Sequence, residues 1–570
     1  MNSLHLTFPD YVVIVGYFLV VLWVGFYFRK HQEAASDYFA AGRQIPWWLA
    51  GISHYMSSFS AFSFIAYSQT AYSYGWVAVT LFWVTMPACV LGGLIFARRW
   101  RRARVITPVE FLERRFNSAL RQLFAWAGIP VKIFDDALKI FATGLFLALG
   151  VGMELKSAIL LCGVVMVTYT FLGGLWALVV TDYVQFLMKM MAIGLLFPLA
   201  VWKAGGLRAS LSGLPPGFFH LSGGPYGWTY ILGFTLLMII SYNGSWALAQ
   251  KYYSVPDERA ASKAAYLAAG LNFFGAPLMM LPAIIGRHLL PDLVAQHRTA
   301  DTYVLLVLEL LPVGMIGVIV AAMFSATMAT VSADLNAIAS VLTKDVYQRM
   351  MNPKASEAAL LRVGRASTLA LGGLVVALSL WVALSHSESL FHVMVTAFGL
   401  LLAPALLPLL AGLTVRWLTW KGALAGFVAG LGTGLITLSI KTWYLPKLPG
   451  ISPQFANFTF EGISILINLG AACAAMWIGS RWVKAGPGEP ERIREFFAAL
   501  DQPVTAKEAG EPRAIAPLKA IGGPTMVVGV LLVIAALFVP AASARTIDLA
   551  MGAGLALLGL ALHQRQRGRV

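Results

Sequence analysis

Seven ionisable residues interrupt stretches that are otherwise apolar: Lys132, Asp135, Asp136, Lys139, Asp182, Lys189 and Asp334. Each costs about 2.5–3.5 kcal/mol at the centre of a membrane helix, so such residues face a partner, an ion or a water-filled path rather than lipid. The chemistry open to them is cation binding, solute binding or proton transfer. Lys132, Asp135, Asp136 and Lys139 fall on one helix at spacings of three and four. Two readings follow: an acidic pair accepting hydrogen bonds from a solute, or a helix that neutralises itself through Lys–Asp pairs. Lys189 follows Asp182 by seven residues, so the two share a face about 10 Å apart along the axis. Three roles are open to Lys189: a structural partner of Asp182 or Asp334, an ammonium standing in for a bound cation, or a side chain that snorkels from lipid.

Two further segments are rich in polar groups but uncharged. In Met56–Ser63 four hydroxyls, Ser57, Ser58, Ser60 and Ser63, crowd one apolar span. In Ile240–Trp246 the run holds Ser241, Tyr242, Asn243, Gly244 and Ser245. Both read as helices interrupted within the bilayer, where backbone carbonyls and short side chains become available to an ion or solute. They lie in the first and sixth spans after an initial hydrophobic helix, which are corresponding places in two five-helix halves. His54, beside the first interruption, reads as a packing or hydrogen-bonding residue. No HExxH, P-loop or cluster of His and Cys ligands occurs, and no GxSxG stands in a suitable context, so an enzyme is not expected. Cys89, Cys162 and Cys473 lie far apart in apolar runs, which excludes a disulfide framework.

The elements that hold these residues follow from composition. Of 570 residues 59% are hydrophobic and 12% charged, against about 25% charged in a soluble domain. The chain is expected to be an all-α polytopic membrane protein. Apolar stretches of spanning length fall near 11–28, 45–72, 76–97, 122–150, 155–173, 177–202, 228–250, 262–286, 303–343, 366–385, 388–415, 420–440, 460–480, 525–541 and 547–563. With the N-terminus outside, the internal loops hold 31 of the 42 Lys and Arg and the external loops 8. This positive-inside bias places the C-terminus in the cytoplasm. The formal charge of +16 therefore reports orientation and headgroup contact, as in the run Arg98–Arg104, and no nucleic-acid partner is expected. The N-terminal segment lacks a basic n-region and a cleavage site.

The run Gly173–Gln185, GGLWALVVTDYVQ, resembles the sodium:solute symporter family, whose pattern at the fifth core helix is GGLxAVxxTDxxQ. Asn336–Tyr347, NAIASVLTKDVY, is similar to the end of the family's eighth core helix. Gln250 with the VPDERAASKAA that begins at Val255 resembles its loop after the sixth. Phe496–Val504 is similar to a linker in sugar-transporting relatives. The resemblance implies a LeuT-type core of 5+5 inverted repeats, one extra N-terminal helix and extra C-terminal helices, about 14–15 spans, working by alternating access. It implies a Na+ site built from carbonyls of Met56, Phe59 and Ala326 with side chains at positions 329 and 330, where this chain has Ala329 and Thr330. A second Na+ site in relatives corresponds to Asp182 and Ser332. Asp334, four residues after Thr330, is a further oxygen donor on that face. The solute pocket would be lined by Ser57, Ser58, Ser60 and Ser63, by Tyr242, Asn243 and Trp246, and by Asp135 and Asp136. Asp135 stands where sialic-acid relatives have an Arg that grips a carboxylate, which moves weight toward a sugar or polyol, with a cationic solute as the competitor.

The expected organisation is an extra helix and first cytoplasmic loop (1–44), a transport core (45–415), accessory helices (416–480), a cytoplasmic linker with one short amphipathic helix (481–524) and a C-terminal helical pair with a basic tail (525–570). The expected activity is cation-coupled symport of a small polar solute, with Na+ as coupling ion and no enzymatic cofactor. The alternatives are H+ coupling or no coupling, with Lys189 replacing the sodium, and, as a minor one, a sensor. A bacterial inner membrane is the expected location, lipid and solute the expected partners, and a monomer is expected to suffice for transport.

Overall fold

The structure is a computed structural model that describes residues 7–29, 34–58, 61–296, 298–311, 315–384, 403–452, 455–483, 485–509 and 516–565. The described secondary structure is helical apart from one isolated bridge, Gly223 with Tyr226. The principal helices are α1 (Phe8–Arg29), α2 (Trp47–Met56), α3 (Ala61–Tyr74), α4 (Val77–Arg102), α5 (Ser118–Val151), α6 and α7 within Leu155–Lys203, α8 (Trp228–Gly244), α9 (Trp246–Tyr253), α10 (Glu258–Leu289), α11 (Thr302–Leu310), α12 (Met315–Val341), α13 (Glu357–Leu384), α14 (Ala403–Thr414), α15 (Trp420–Ser439), α16 (Phe460–Trp482), α17 (Glu489–Asp501), α18 (Pro517–Ala536) and α19 (Ala542–Gln564).

Among the described residues ten helices are long and apolar enough to cross a membrane, or eleven if the bent pair α8–α9 counts as one span. Fewer pass than the fifteen stretches expected, for physical reasons. The 49-residue run Leu155–Lys203 is broken at Gly174, with φ 56° and ψ −167°, a conformation open essentially to glycine alone. It therefore supplies two helices, α6 (155–173) and α7 (175–203). The 45–72 stretch is split into α2 and α3, and α5 carries too many charges to read as a simple apolar span. The 388–415 stretch is described only from α14 onward.

One expected helix is corrected. The 303–343 stretch is two helices, because Leu311 before Pro312 is extended (φ −89°, ψ 139°) and ends α11, as proline requires of the residue before it. Helix α12 then runs wholly buried to Val341 and continues as a π-helical segment to Met351.

Packing places α12 at the centre. Helix α1 lies against α7 and α12, and α9 packs against α2 and α12. Helices α5 and α12 run antiparallel and are joined at three depths. Thr143 donates to Thr327 at 2.7 Å, Lys132 and Lys139 bind Asp334, and Arg121 binds Asp345 at 2.5 Å. On the loop side, α17 buries Phe496, Phe497 and Leu500, and the ring of Phe496 stacks on Phe111 at 6.0 Å. The Arg104 guanidinium clasps Glu508 at 2.6 Å, and Gln44 donates to the Ala509 carbonyl at 2.7 Å. The linker thus contacts segments far apart in sequence. Hydrogen bonds from Arg104 and from the Thr505 backbone pull the Glu508 carboxyl down to about 2.

Candidate functional site

The first interruption begins where α2 ends at Met56, and the helix resumes at Ala61. Helix ends leave carbonyls without intrahelical partners, so Met56 is placed to offer its backbone oxygen. Ser57 is buried with a hydroxyl that no group among the described residues satisfies, while Ser58 donates to the Tyr55 carbonyl at 2.7 Å. Ser63 is buried in α3. Phe59 and Ser60 lie outside the described residues.

At the second interruption α8 and α9 meet at Ser245 with a bend of 51°. The Tyr242 ring packs with Cys89 and Leu248, its centroid 6.1 Å from that of His54. Asn243 donates to the carbonyls of Ala88 at 3.0 Å and Ile239 at 2.8 Å, and its own carbonyl accepts from Trp100 at 2.8 Å. The Asn243 side-chain oxygen and the Tyr252 hydroxyl have no hydrogen-bond partner among the described residues. Trp246 presses on Gly128 of α5, where a Cβ would come within 2.4 Å of the indole.

The charges of α5 and α12 form one buried network. Lys132 reaches Asp334 at 3.0 Å and Asp135 at 3.5 Å. Lys139 reaches Asp135 at 2.7 Å, Asp334 at 3.2 Å and Asp136 at 3.4 Å. All five side chains are less than a tenth exposed. Asp135 and Asp136 are thus held by lysines on their own helix, and each keeps one oxygen without a hydrogen-bond partner among the described residues. Asp334 has its oxygens engaged by Lys132 and Lys139.

Around Asp182 the contacts come from two other helices. Ser53 of α2 donates to Asp182 Oδ2, and Lys251 Nζ of α9 lies 4.0 Å from the same oxygen. Lys251 stands one residue past the 228–250 stretch, yet it is wholly buried. Every residue of α9 is buried with it. Lys189 is also wholly buried, so it does not snorkel into lipid. Its ammonium sits over the Tyr55 ring, 4.2 Å from the centroid and one residue from Met56. On α12, Ala329 offers no side-chain oxygen, Thr330 donates to the Ala326 carbonyl at 3.1 Å, and the buried Ser332 hydroxyl has no partner among the described residues.

Two residues quoted from the sequence motifs meet directly. Gln250 donates to the Asn336 side chain at 2.8 Å and to the Phe39 carbonyl at 2.6 Å. These contacts pin α9 to α12 beside the Asp182 cluster.

Comparison with known proteins agrees with this architecture. The solved structure of a Na+-coupled sialic acid symporter, in a substrate-bound outward-open state, superimposes with a TM-score of 0.69 at 21% identity, covering 82% of this chain and 98% of that one. The sodium/sialic acid symporter NanT of Aliivibrio fischeri is 27% identical over 441 residues, 75% of this chain and 87% of that protein. The sodium/glucose cotransporter of Vibrio parahaemolyticus is 27% identical over 461 residues, covering 75% and 84%. The sodium/myo-inositol cotransporter 2 of Mus musculus is 26% identical over 564 residues, covering 88% and 81%. Residues 38–430 match the family described as the Sodium:solute symporter family. A polytopic, all-helical membrane transporter and not an enzyme, the chain belongs to the sodium:solute symporter family.

Proposed function

We propose that the protein couples inward movement of Na+ to uptake of a small neutral polar solute, a sugar or polyol, by alternating access. The observation that carries this reading is the pair of helix interruptions, after Met56 and at Ser245; with 45–415 read as a core of two five-helix halves, they stand at matching places. Such interruptions are where transporters of inverted-repeat architecture bind ion and solute. The core is read as LeuT-type, with the N-terminus outside, the C-terminus in the cytoplasm and the plasma membrane as its location. The other divisions, 1–44, 416–480, 481–524 and 525–570, keep the roles assigned from sequence.

The coupling ion is assigned to carbonyls of Met56, Phe59 and Ala326 with the Thr330 hydroxyl, and Asp182 with Ser332 forms a second cation position. Asp334 is left out of the ion set, because lysines already hold its oxygens. The solute is assigned to Ser57, Ser58, Ser60, Ser63, Tyr242, Asn243 and Trp246. Counted at formal charge, Asp135, Asp136 and Asp334 outweigh Lys132 and Lys139, so a carboxylate solute meets repulsion there and a neutral polyhydroxyl solute does not. The driving force is adequate. One sodium entering across about 100 mV releases roughly 2.3 kcal/mol. A tenfold sodium gradient adds about 1.4 kcal/mol, which together support a few-hundredfold accumulation.

A second reading has its own observation. Lys189 places an ammonium beside Tyr55, next to the assigned carbonyl of Met56, while Ala329 removes one side-chain oxygen from the ion set. In that reading Lys189 replaces the sodium and transport is proton-coupled or uncoupled. Thermal stabilisation of the purified protein by a panel of sugars, polyols, sialic acid and cationic solutes, run in sodium and in potassium, tests the assignment. Stabilisation by a neutral polyhydroxyl solute that is larger in sodium is expected, and stabilisation by sialic acid alone would overturn the solute class. Uptake by Lys189→Ala with unchanged cation dependence would remove the second reading.

A further inference from the structure

The carboxylates of Asp135, Asp136 and Asp334 converge within 4.8 Å of one another, the spread expected of oxygens around a single cation at about 2.3–2.6 Å from each. The space they surround holds a cation already. Lys139 Nζ stands 2.7 Å from Asp135, 3.4 Å from Asp136 and 3.2 Å from Asp334. A lysine ammonium has three N–H donors and no acceptor, so one hydrogen is available for each carboxylate. Its arm is fixed from below, because Asp135 and Asp136 lie four and three residues earlier on the same helix. It is fixed from across by Asp334 on α12. Lys132 bears on the outer side of the group through Asp334 and Asp135, and Lys251 of α9 acts on Asp334 electrostatically.

We infer that Asp135, Asp136 and Asp334 form a monovalent-cation site whose occupant is the chain's own Lys139 ammonium, a tethered cation in place of a diffusible one. An ammonium carried on the chain cannot leave with the solute, so this site stays filled through the transport cycle and contributes no ion to the stoichiometry. The same contacts weld α5 to α12, together with the pairs Thr143–Thr327 and Arg121–Asp345 above and below them. Removing the arm while keeping the carboxylates leaves three negative charges facing the single ammonium of Lys132. With the Lys139 N–H donors gone, the three carboxylates are left open to a small N–H cation from solution.

The test is chemical rescue of the full-length purified protein, in potassium chloride and without solute. Its readout does not depend on whether or what the protein transports. Lys139→Ala is expected to melt well below wild type. Methylammonium is expected to raise its melting temperature saturably toward the wild-type value, with no such shift in wild type, whereas tetramethylammonium, which has no N–H, gives none. A Lys139→Ala protein that melts like wild type, ignores methylammonium, or responds equally to tetramethylammonium would overturn the inference. Should Lys139→Ala fail to fold, the double variant Lys139→Ala/Asp136→Asn restores the wild-type charge count and is expected to fold and respond to methylammonium. A double variant that also fails to fold, or folds without responding, would overturn it.

Discussion

The buried network makes a prediction whose size differs from one residue to the next. At formal charge three aspartates oppose two lysines. Replacing Lys132 by Met leaves three carboxylates against one ammonium and removes contacts at 3.0 and 3.5 Å. Replacing Asp334 by Asn leaves two against two, on one helix at spacings of three and four, and the amide still accepts from a lysine. Breaking a buried pair from one side costs about 3–5 kcal/mol, because an uncompensated charge stays behind. Lys132→Met is therefore expected to lose on the order of 3–5 kcal/mol, more than a hundredfold in the folded-to-unfolded ratio. Asp334→Asn is expected to lose no more than about 1–2 kcal/mol, the scale of one weakened buried hydrogen bond. The assay is tryptophan-fluorescence unfolding of each variant in one detergent, with the double variant closing the cycle. Near-additive losses, or Asp334→Asn at least as damaging as Lys132→Met, would refute the charge-balance reasoning.

Other expected outcomes follow from single contacts. Gly174→Ala forces a side chain into φ 56°, ψ −167° and is expected to cost about 1–3 kcal/mol, read as a lower melting temperature. Gly128→Ala puts a methyl 2.4 Å from the Trp246 indole. It is expected to displace Trp246 from the second helix interruption and raise the solute KM more than it lowers stability, checked by uptake kinetics beside a melting curve. The Glu508 carboxyl is held down at about 2 by Arg104 and the Thr505 backbone, below its ordinary value of about 4.3. Its stabilising contribution is therefore complete above that ordinary value and lost as pH falls through about 2. Protease sensitivity of the 486–509 linker should be constant from neutral pH to mild acid, and should rise in Glu508→Gln at neutral pH.

Much of the fold was legible because hydropathy sets helix positions and glycine or polar runs set their interruptions. The Gly173–Gly174 pair, Met56–Ser63 and Ile240–Trp246 each mark a break that the structure contains. The split at Leu311 was missed because the apolar run continues through Pro312, and hydropathy cannot register a missing backbone donor. In the site, spacing on one helix exposed the Lys139 contacts to Asp135 and Asp136. Partners from other helices were another matter. Lys251 meets Asp182 only because α9 turns inward at Ser245, and Asp334 meets two lysines 195 and 202 residues away. Those pairings depend on how helices pack against one another, which periodicity along one helix does not encode.

The activity proposed for this chain is the coupling of a cation gradient to solute uptake. It is tested most directly in proteoliposomes, by uptake of the sugar or polyol that best stabilises the purified protein. An inward sodium gradient with a negative interior should produce transient accumulation above the external concentration, abolished when potassium replaces sodium at the same potential. Accumulation that is equal in the two salts and follows an imposed proton gradient would contradict sodium coupling, and mere equilibration under every gradient would contradict coupled transport itself.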